Sequence, residues 1–130
     1  MGIQHEQVRN LNGLEDKWKL AHDKLHADYK AGLIDKEQHT NRHKALWSVY
    51  LCCFHTNNMS LPAKDRLDVR EYEEISDGEQ VISTKTDNAI EQMKSLPIDD
   101  VNNAVERFKA EDTGDSIKIS EVETKLREPK

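Results

Sequence analysis

Apolar residues near the start of the chain recur every three or four positions. Leu11, Leu14, Trp18, Ala21 and Leu25 follow this spacing, which places them on one face of an α-helix. The charged residues between them are predicted to face solvent: Asp16, Lys17, Lys19, Asp23 and Lys24. The pattern therefore predicts an amphipathic helix that packs through a single stripe.

The helical pattern stops at Gly32, and a second one begins a few residues later. A glycine suits the left-handed position that ends many helices, and the Asp35 side chain can cap the start of the next helix. The second stripe consists of His39, His43, Leu46, Tyr50 and Cys53. Because the connection is short, the two helices are predicted to fold back on each other as an antiparallel hairpin.

The second half of this helix is apolar on more than one side, from Trp47 to Phe54, so it is predicted to lie between layers or against the rest of the chain. The same run contains Cys52 and Cys53, and a disulfide between adjacent cysteines is strained and rare. We predict reduced thiols that pack as small hydrophobic residues, with a redox or metal role as the alternative.

Charge divides the chain into two parts. Residues 1–57 carry eight Lys or Arg and seven Asp or Glu, whereas residues 58–130 carry eleven and eighteen, so the net charges are +1 and −7. We predict a helical hairpin at 1–57 and an acidic helical module with two short strands at 58–130, and leave open whether they share one core. The acidic module lacks the clustered Lys and Arg that bind nucleic acid, which argues against that partner.

The acidic part contains a faint internal repeat. Ser60-Leu61-Pro62 recurs as Ser95-Leu96-Pro97, and acidic residues follow each copy, at Asp65 and at Asp99-Asp100. Each serine is a candidate N-cap of a helix that has proline in its first turn. Each copy then continues into a small-residue turn, a short β-prone segment and another helix.

The predicted turns are 76–79 and 112–115, the strands 81–83 and 117–119, and the following helices 84–94 and 120–127. The predicted fold class is therefore mainly α, an N-terminal antiparallel helical hairpin followed by a small helix–turn–short strand–helix repeat. An unrelated small α+β module with ordinary turns is the alternative, because Gly, Asp and Ser mark turns in many folds.

In this order of elements, residues 60–127 resemble a degenerate EF-hand pair of the calmodulin-like family. The residues that match loop positions one, five, nine and twelve of the second loop are Asp112, Ser116, Ser120 and Glu123. Ile117 replaces the glycine of the sharp turn, and the first loop keeps only Asp77 near a ligand position. The resemblance therefore implies calcium binding that is weak or absent.

Residues 25–46, with Tyr29-Lys30-Ala31-Gly32-Leu33-Ile34-Asp35-Lys36-Glu37 at their middle, resemble the short helical hairpin of the SHOCT domain. His39 stands where that family usually has an aromatic residue. SHOCT hairpins normally close a protein at its C-terminus and are thought to mediate assembly, whereas this segment is N-terminal. The resemblance implies only the hairpin geometry.

Four histidines form two i, i+4 pairs on either side of the predicted turn: His22 with His26, and His39 with His43. In an antiparallel hairpin His22 faces His43 and His26 faces His39, so the four imidazoles reach one level. Such a set suits Zn²⁺ or another transition metal, and a pH-sensitive cluster is a further option. The alternative is four half-exposed packing groups without a ligand.

No motif predicts catalysis, because the five glycines form no phosphate-binding run and no serine occupies a nucleophile turn. We predict a non-catalytic interaction or regulatory protein, an adaptor or inhibitor, that binds a partner helix or a basic protein surface. The candidate partner-binding residues are Trp18, Trp47, Tyr50, Phe54 and Phe108, although aromatic residues at helical spacing are more often core. The alternative is a metal-responsive protein that uses the four histidines, with weak or absent calcium binding at 112–123. Apart from such a metal, no cofactor is predicted.

The chain has no apolar run near the length of a membrane span, and its first residues lack the basic and apolar regions of a signal peptide. These features predict a cytoplasmic protein with no membrane partner. Self-association is left open.

Overall fold

The computed structural model describes residue 8 and residues 11–66, 86–110 and 119–127. The helices are α1 (Leu14–Lys30), α2 (Lys36–Met59), α3 (Thr86–Lys94), α4 (Ile98–Ala110) and α5 (Ile119–Arg127), with 3₁₀ turns at Leu11–Gly13 and Ala63–Asp65. These parts of the chain contain no strand, so the mainly helical class is confirmed for them.

The predicted strands are not found where the structure describes the chain. Residues 81–83 and 117–118 lie outside the described residues, and Ile119, predicted to end the second strand, is the first residue of α5. Ile119 and Val122 are buried and Leu126 packs against the same core. Their spacing of three and four fits a helix face, which overrides the β-propensity of isoleucine.

Gly32 ends α1 in a left-handed conformation, with φ of 76°. The Leu33 N–H donates to the Asp28 carbonyl at 3.0 Å, and the Gly32 N–H donates to the Tyr29 carbonyl at 3.1 Å. This pair of bonds is a Schellman motif, which satisfies carbonyls that a helix end would otherwise leave unpaired. The sequence prediction of a glycine cap is confirmed.

α2 begins with a capping box. The Gln38 N–H donates to Asp35 Oδ1 at 2.8 Å, and the Asp35 N–H donates to Gln38 Oε1 at 3.0 Å. The first bond gives a partner to an N–H group in the first turn of the helix, and the second gives one to the N–H group of the cap residue. Asp35 is therefore the N-cap that the sequence predicts. Only residues 31–35 separate the two helices.

Three ring pairs show how α1 and α2 lie against each other. The centroids are 5.2 Å apart for Trp18 and Trp47, 5.4 Å for His22 and His43, and 5.2 Å for His26 and His39. From one pair to the next, the residue number in α1 increases while the residue number in α2 decreases, so the two helices run antiparallel.

The buried stripe of α1 is rotated from the predicted one. It consists of Leu14, Lys17, Ala21 and Leu25, whereas Trp18 is only partly buried. Lys17, predicted to face solvent, is 2% exposed. It follows Leu14 by three residues and precedes Ala21 by four, so it shares their helix face despite its charge.

The second half of α2 is the centre of the fold. Every residue from Ala45 to Phe54 is buried, and α2 contacts α1, α3, α4 and α5. This confirms the prediction that the segment lies between other elements. Cys52 and Cys53 are thiols buried in this run, as predicted for small core residues.

Buried side chains from both compositional parts form one cluster, which includes Leu25 and Phe54 from the first part and Met93 and Phe108 from the second. Two ion pairs link α4 to the hairpin. Arg42 Nε lies 3.0 Å from Asp100 Oδ1, and Arg107 Nη2 lies 2.7 Å from Asp28 Oδ2. In the described residues, the hairpin and the C-terminal helices therefore share a core.

The Ser-Leu-Pro repeat has a structural counterpart, but its role differs from the predicted one. The Ser60 hydroxyl donates to the Asn57 carbonyl at 2.6 Å, and the Ser95 hydroxyl donates to the Gln92 carbonyl at 2.7 Å. The prediction that the serines are N-caps is wrong, because each hydroxyl instead bonds the end of the preceding helix.

Each proline carbonyl then accepts the N–H of the aspartate three residues on, at 2.8 Å from Asp65 and 3.0 Å from Asp100. The repeat is therefore a helix-ending turn used twice, after α2 and after α3. Proline favours such an end because it has no N–H to continue a helix.

Gly32→Ala is predicted to lower the free energy of unfolding by about 1–2 kcal/mol, the cost of a left-handed alanine. A Cβ at Gly32 meets no atom within 4 Å, so the backbone conformation alone should account for the loss. Urea unfolding measures it. Gly32→Asn is the matched control, since asparagine tolerates this conformation, and an equal loss in both variants would contradict the explanation.

Ser48→Ala is predicted to raise the free energy of unfolding by about 1 kcal/mol. Ser48 is 0% exposed, and its hydroxyl has no hydrogen-bond partner in the part of the chain that the structure describes. Thr56→Ala is the control, because the Thr56 hydroxyl donates to the Cys52 carbonyl at 3.0 Å. Thr56→Ala should not stabilise the protein, and destabilisation by Ser48→Ala would contradict the prediction.

Candidate functional site

The four histidines of the hairpin, His22, His26, His39 and His43, form a cluster that we call the histidine quartet. Ring centroids are 5.5 Å apart for His22 and His26, 5.4 Å for His22 and His43, and 5.2 Å for His26 and His39. His39 and His43 are 6.3 Å apart. The helix period supplies the spacing within each pair, and the antiparallel hairpin supplies the spacing between pairs.

Aromatic rings hold the quartet on two sides. Trp18 contacts His22 and His43 at centroid distances of 5.4 and 6.0 Å, and Tyr29 stacks on His39 at 4.6 Å. The His26 side chain is exposed and the other three are half-buried. The quartet is therefore ordered by packing and still open to water.

The closest polar contact in the quartet joins His39 Nε2 to His26 Nδ1 at 3.3 Å. His22 Nδ1 lies 3.5 Å from Asp23 Oδ1. Packing lowers the pKa of His39 below its ordinary value of 6.5, first because partial burial disfavours the charged ring and then because His26 and His22 would repel it.

The described residues contain no group of three or more His, Cys, Asp or Glu whose donor atoms already converge as metal ligands. In the predicted calcium loop, Asp112 and Ser116 lie outside the described residues, and Ser120 is in the first turn of α5. Glu123 is also in α5, where its carboxylate lies 3.4 Å from Lys109 Nζ. Calcium binding at 112–123 stays a prediction.

The predicted aromatic anchors lie in or against the core. Tyr50, Phe54 and Phe108 are 0% exposed and Trp47 is 5% exposed, while Trp18 is partly buried. In this conformation they are core residues or pack against the core, and their role in partner binding stays a prediction. Their helical spacing reflects core packing, because α2 is covered on every side.

An apolar groove of about 410 Å³ lies between α3, α4 and α5. Its apolar lining consists of Met93, Leu96, Ile98, Val101, Val105 and Leu126. Met93, Val101 and Val105 are buried, whereas Ile98 is 69% exposed. None of these residues is among the predicted site residues, although the helical spacing of Ile98, Val101 and Val105 could have indicated an apolar stripe on α4.

Charged residues of both signs lie at this groove. Lys94 and Glu123 line it, and Glu123 is paired with Lys109. Among the side chains of α3 and α4 that the structure describes, Glu91, Asp99 and Glu106 are exposed acids and Lys109 is an exposed base. The groove therefore combines an apolar lining with one acid and one base, on helices whose described exposed charges include more acids than bases.

Comparison of this chain with protein families, with curated proteins and with solved structures finds no match. In the described parts, no helix combines the length and the apolar character that crossing a bilayer requires.

His39→Gln is predicted to reduce the loss of stability on acidification. Because the folded-state pKa of His39 is below its unfolded value, protonation favours unfolding. The contribution of His39 to stability is complete above its unfolded pKa and is lost as pH falls through its folded pKa. Urea unfolding from pH 7 to pH 5 measures the slope in wild type and variant.

Thr40→Gln is the control for this test, since Thr40 is an exposed neighbour on α2 that does not titrate. It should keep the wild-type slope. A slope in His39→Gln that equals the wild-type slope would remove His39 from the explanation.

Proposed function

We propose that this chain is a non-catalytic interaction protein that binds an amphipathic helix of a partner protein in the apolar groove. The basic face of that helix would lie toward the exposed acids of α3 and α4, which include Glu91, Asp99 and Glu106. The observation that carries the proposal is Ile98, a large aliphatic residue that lines the groove and is 69% exposed.

The lining of the groove suits a helix. Buried Met93, Val101 and Val105 offer an apolar floor, and half-buried Leu96 and Leu126 lie beside it. Amphipathic helices insert apolar side chains at positions i, i+3, i+4 and i+7 into grooves of this kind. The volume of about 410 Å³ is enough for a few such side chains.

Charge favours a basic partner. Residues 58–130 carry eleven Lys or Arg and eighteen Asp or Glu, a balance of −7. Opposite charges steer a partner toward its site and discriminate against wrong partners, and this effect weakens as salt rises. A partner helix with Lys or Arg on its polar face should therefore associate faster than one with Glu.

Two other occupants fit less well. The chain has a net charge of −6, so a second copy would meet repulsion as it approaches. A small molecule usually needs a few placed polar groups that fix its orientation. The polar residues that line this groove are Lys94, Asn102 and Glu123, and Glu123 is already paired with Lys109.

Two synthetic helical peptides with the same leucine face test the proposal, one with lysine and one with glutamate on its polar face. The lysine peptide should bind more tightly, and its binding should weaken with salt. Methyl NMR should show shifts for Ile98, Leu96 and Leu126. Ile98→Asn should raise the dissociation constant at least about tenfold, or about 1.4 kcal/mol.

Leu33→Asn is the matched control, because Leu33 is 74% exposed but lies in the hairpin turn. It should leave binding unchanged, and circular dichroism should show that both variants keep the helical content. Equal weakening by both substitutions, or methyl shifts confined to other residues, would contradict the groove as the binding surface.

A further inference from the structure

The histidine quartet has spacings close to those of a tetrahedral metal site. With Zn–N bonds of about 2.0–2.1 Å, two bound nitrogens are about 3.3 Å apart and their ring centroids about 5 Å apart. His39 Nε2 and His26 Nδ1 are 3.3 Å apart. Three of the four measured centroid distances lie between 5.2 and 5.5 Å, and the fourth is 6.3 Å.

The two nitrogens of His39 and His26 share a hydrogen bond at this spacing, and the four rings do not form a ligand set as they stand, so all four must reorient to bind an ion. His22 and His43 already have their rings 5.4 Å apart in a near-perpendicular arrangement, with an interplanar angle of 74°. Rotation about their side-chain bonds changes where the nitrogens point without moving α1 or α2. Since the quartet is half-buried to exposed, an ion can reach it from solvent.

Neighbouring groups support this use of the rings. Asp23 Oδ1 lies 3.5 Å from His22 Nδ1. A carboxylate that accepts the Nδ1 proton of a histidine leaves Nε2 for a metal. Tyr29 stacks on His39, and Trp18 contacts His22 and His43. These contacts limit the freedom that the rings would lose on binding.

We infer that His22, His26, His39 and His43 bind one divalent transition metal ion per chain, with Zn²⁺ as the ion that best fits four imidazoles around a tetrahedron. Neutral imidazole suits Zn²⁺, Cu²⁺ and Ni²⁺, whereas Ca²⁺ and Mg²⁺ prefer oxygen donors. Because each helix supplies two ligands, the ion would join α1 to α2. The inference uses none of the groove residues, so it stands or fails independently of the proposed function.

Isothermal titration of the full chain with Zn²⁺ should give saturable binding of one ion per chain, and the unfolding temperature should rise by several degrees. Excess EDTA should reverse the rise, and equimolar Ca²⁺ or Mg²⁺ should not reproduce it. Binding should be strongest near neutral pH and weaken as the imidazoles protonate.

The spectrum of the Co²⁺ form identifies the donors. Four nitrogen ligands around a tetrahedron should give visible d–d absorption without the intense near-ultraviolet band of cobalt–thiolate charge transfer. A strong thiolate band would instead assign the ion to Cys52 or Cys53 and overturn the inference. An octahedral spectrum would contradict the four-histidine geometry.

His26→Gln and His39→Gln should each weaken Zn²⁺ binding at least tenfold. His55→Gln is the matched control, because His55 is also on α2 but outside the quartet, and it should bind Zn²⁺ as wild type does. Circular dichroism of the metal-free variants checks that each one folds.

The inference would be overturned by the absence of saturable Zn²⁺ binding, by wild-type affinity in both quartet variants, or by one ion shared between two chains in size-exclusion chromatography. Loss of binding in His55→Gln equal to that in His39→Gln would also overturn it, because the ion would then not depend specifically on the quartet.

Discussion

The fold depends on the complete burial of α2 from Ala45 to Phe54. A helix that is apolar on every side cannot be covered by one neighbour, so α1, α3, α4 and α5 all pack around it. Each large side chain buried there contributes about 1.5–3 kcal/mol of transfer free energy, and Tyr50 and Phe54 are completely buried. The short turn between α1 and α2 places α1 against α2, and the helices after residue 85, α3, α4 and α5, pack on its other sides.

The same helix changes character along its length, and this places the histidine quartet. His39 and His43 lie on the stripe that continues through Leu46 and Tyr50, but they precede the segment that other helices cover. Along this stripe, half-buried imidazoles are therefore followed by fully buried core residues within two helical turns. Trp18 lies at the boundary, where it contacts His22 and His43 on one side and Trp47 and Tyr50 on the other.

Local rules predicted what depends on neighbours in sequence. The glycine end of α1, the Asp35 cap and the apolar run of α2 follow from backbone geometry and helix period, so sequence was enough. The burial of Lys17, the use of Ser95 to end α3 and the helical state of Ile119 depend on which elements meet in space. The groove is the clearest case, because its lining comes from three helices and the spacing within α4 indicates only one of its sides. The predicted partner-binding residues are all large aromatic residues, and large aromatic side chains occur in the core as readily as on a binding surface.

The two ion pairs of α4 determine which of its faces remains for the groove. Asp100 is in the first turn of α4 and Arg107 is in the last turn, so each charge also interacts favourably with the helix dipole at its own end. Asp100 pairs with Arg42 of α2, and Arg107 pairs with Asp28 of α1. A reversed α4 would bring Asp100 toward Asp28 and Arg107 toward Arg42, which would exchange two attractions for two repulsions. The direction of α4 is thus specified by its charges. The burial of Val101, Val105 and Phe108 specifies how closely α4 packs against the core. With both fixed, Ile98 is left outside the core that covers α2, beside the groove.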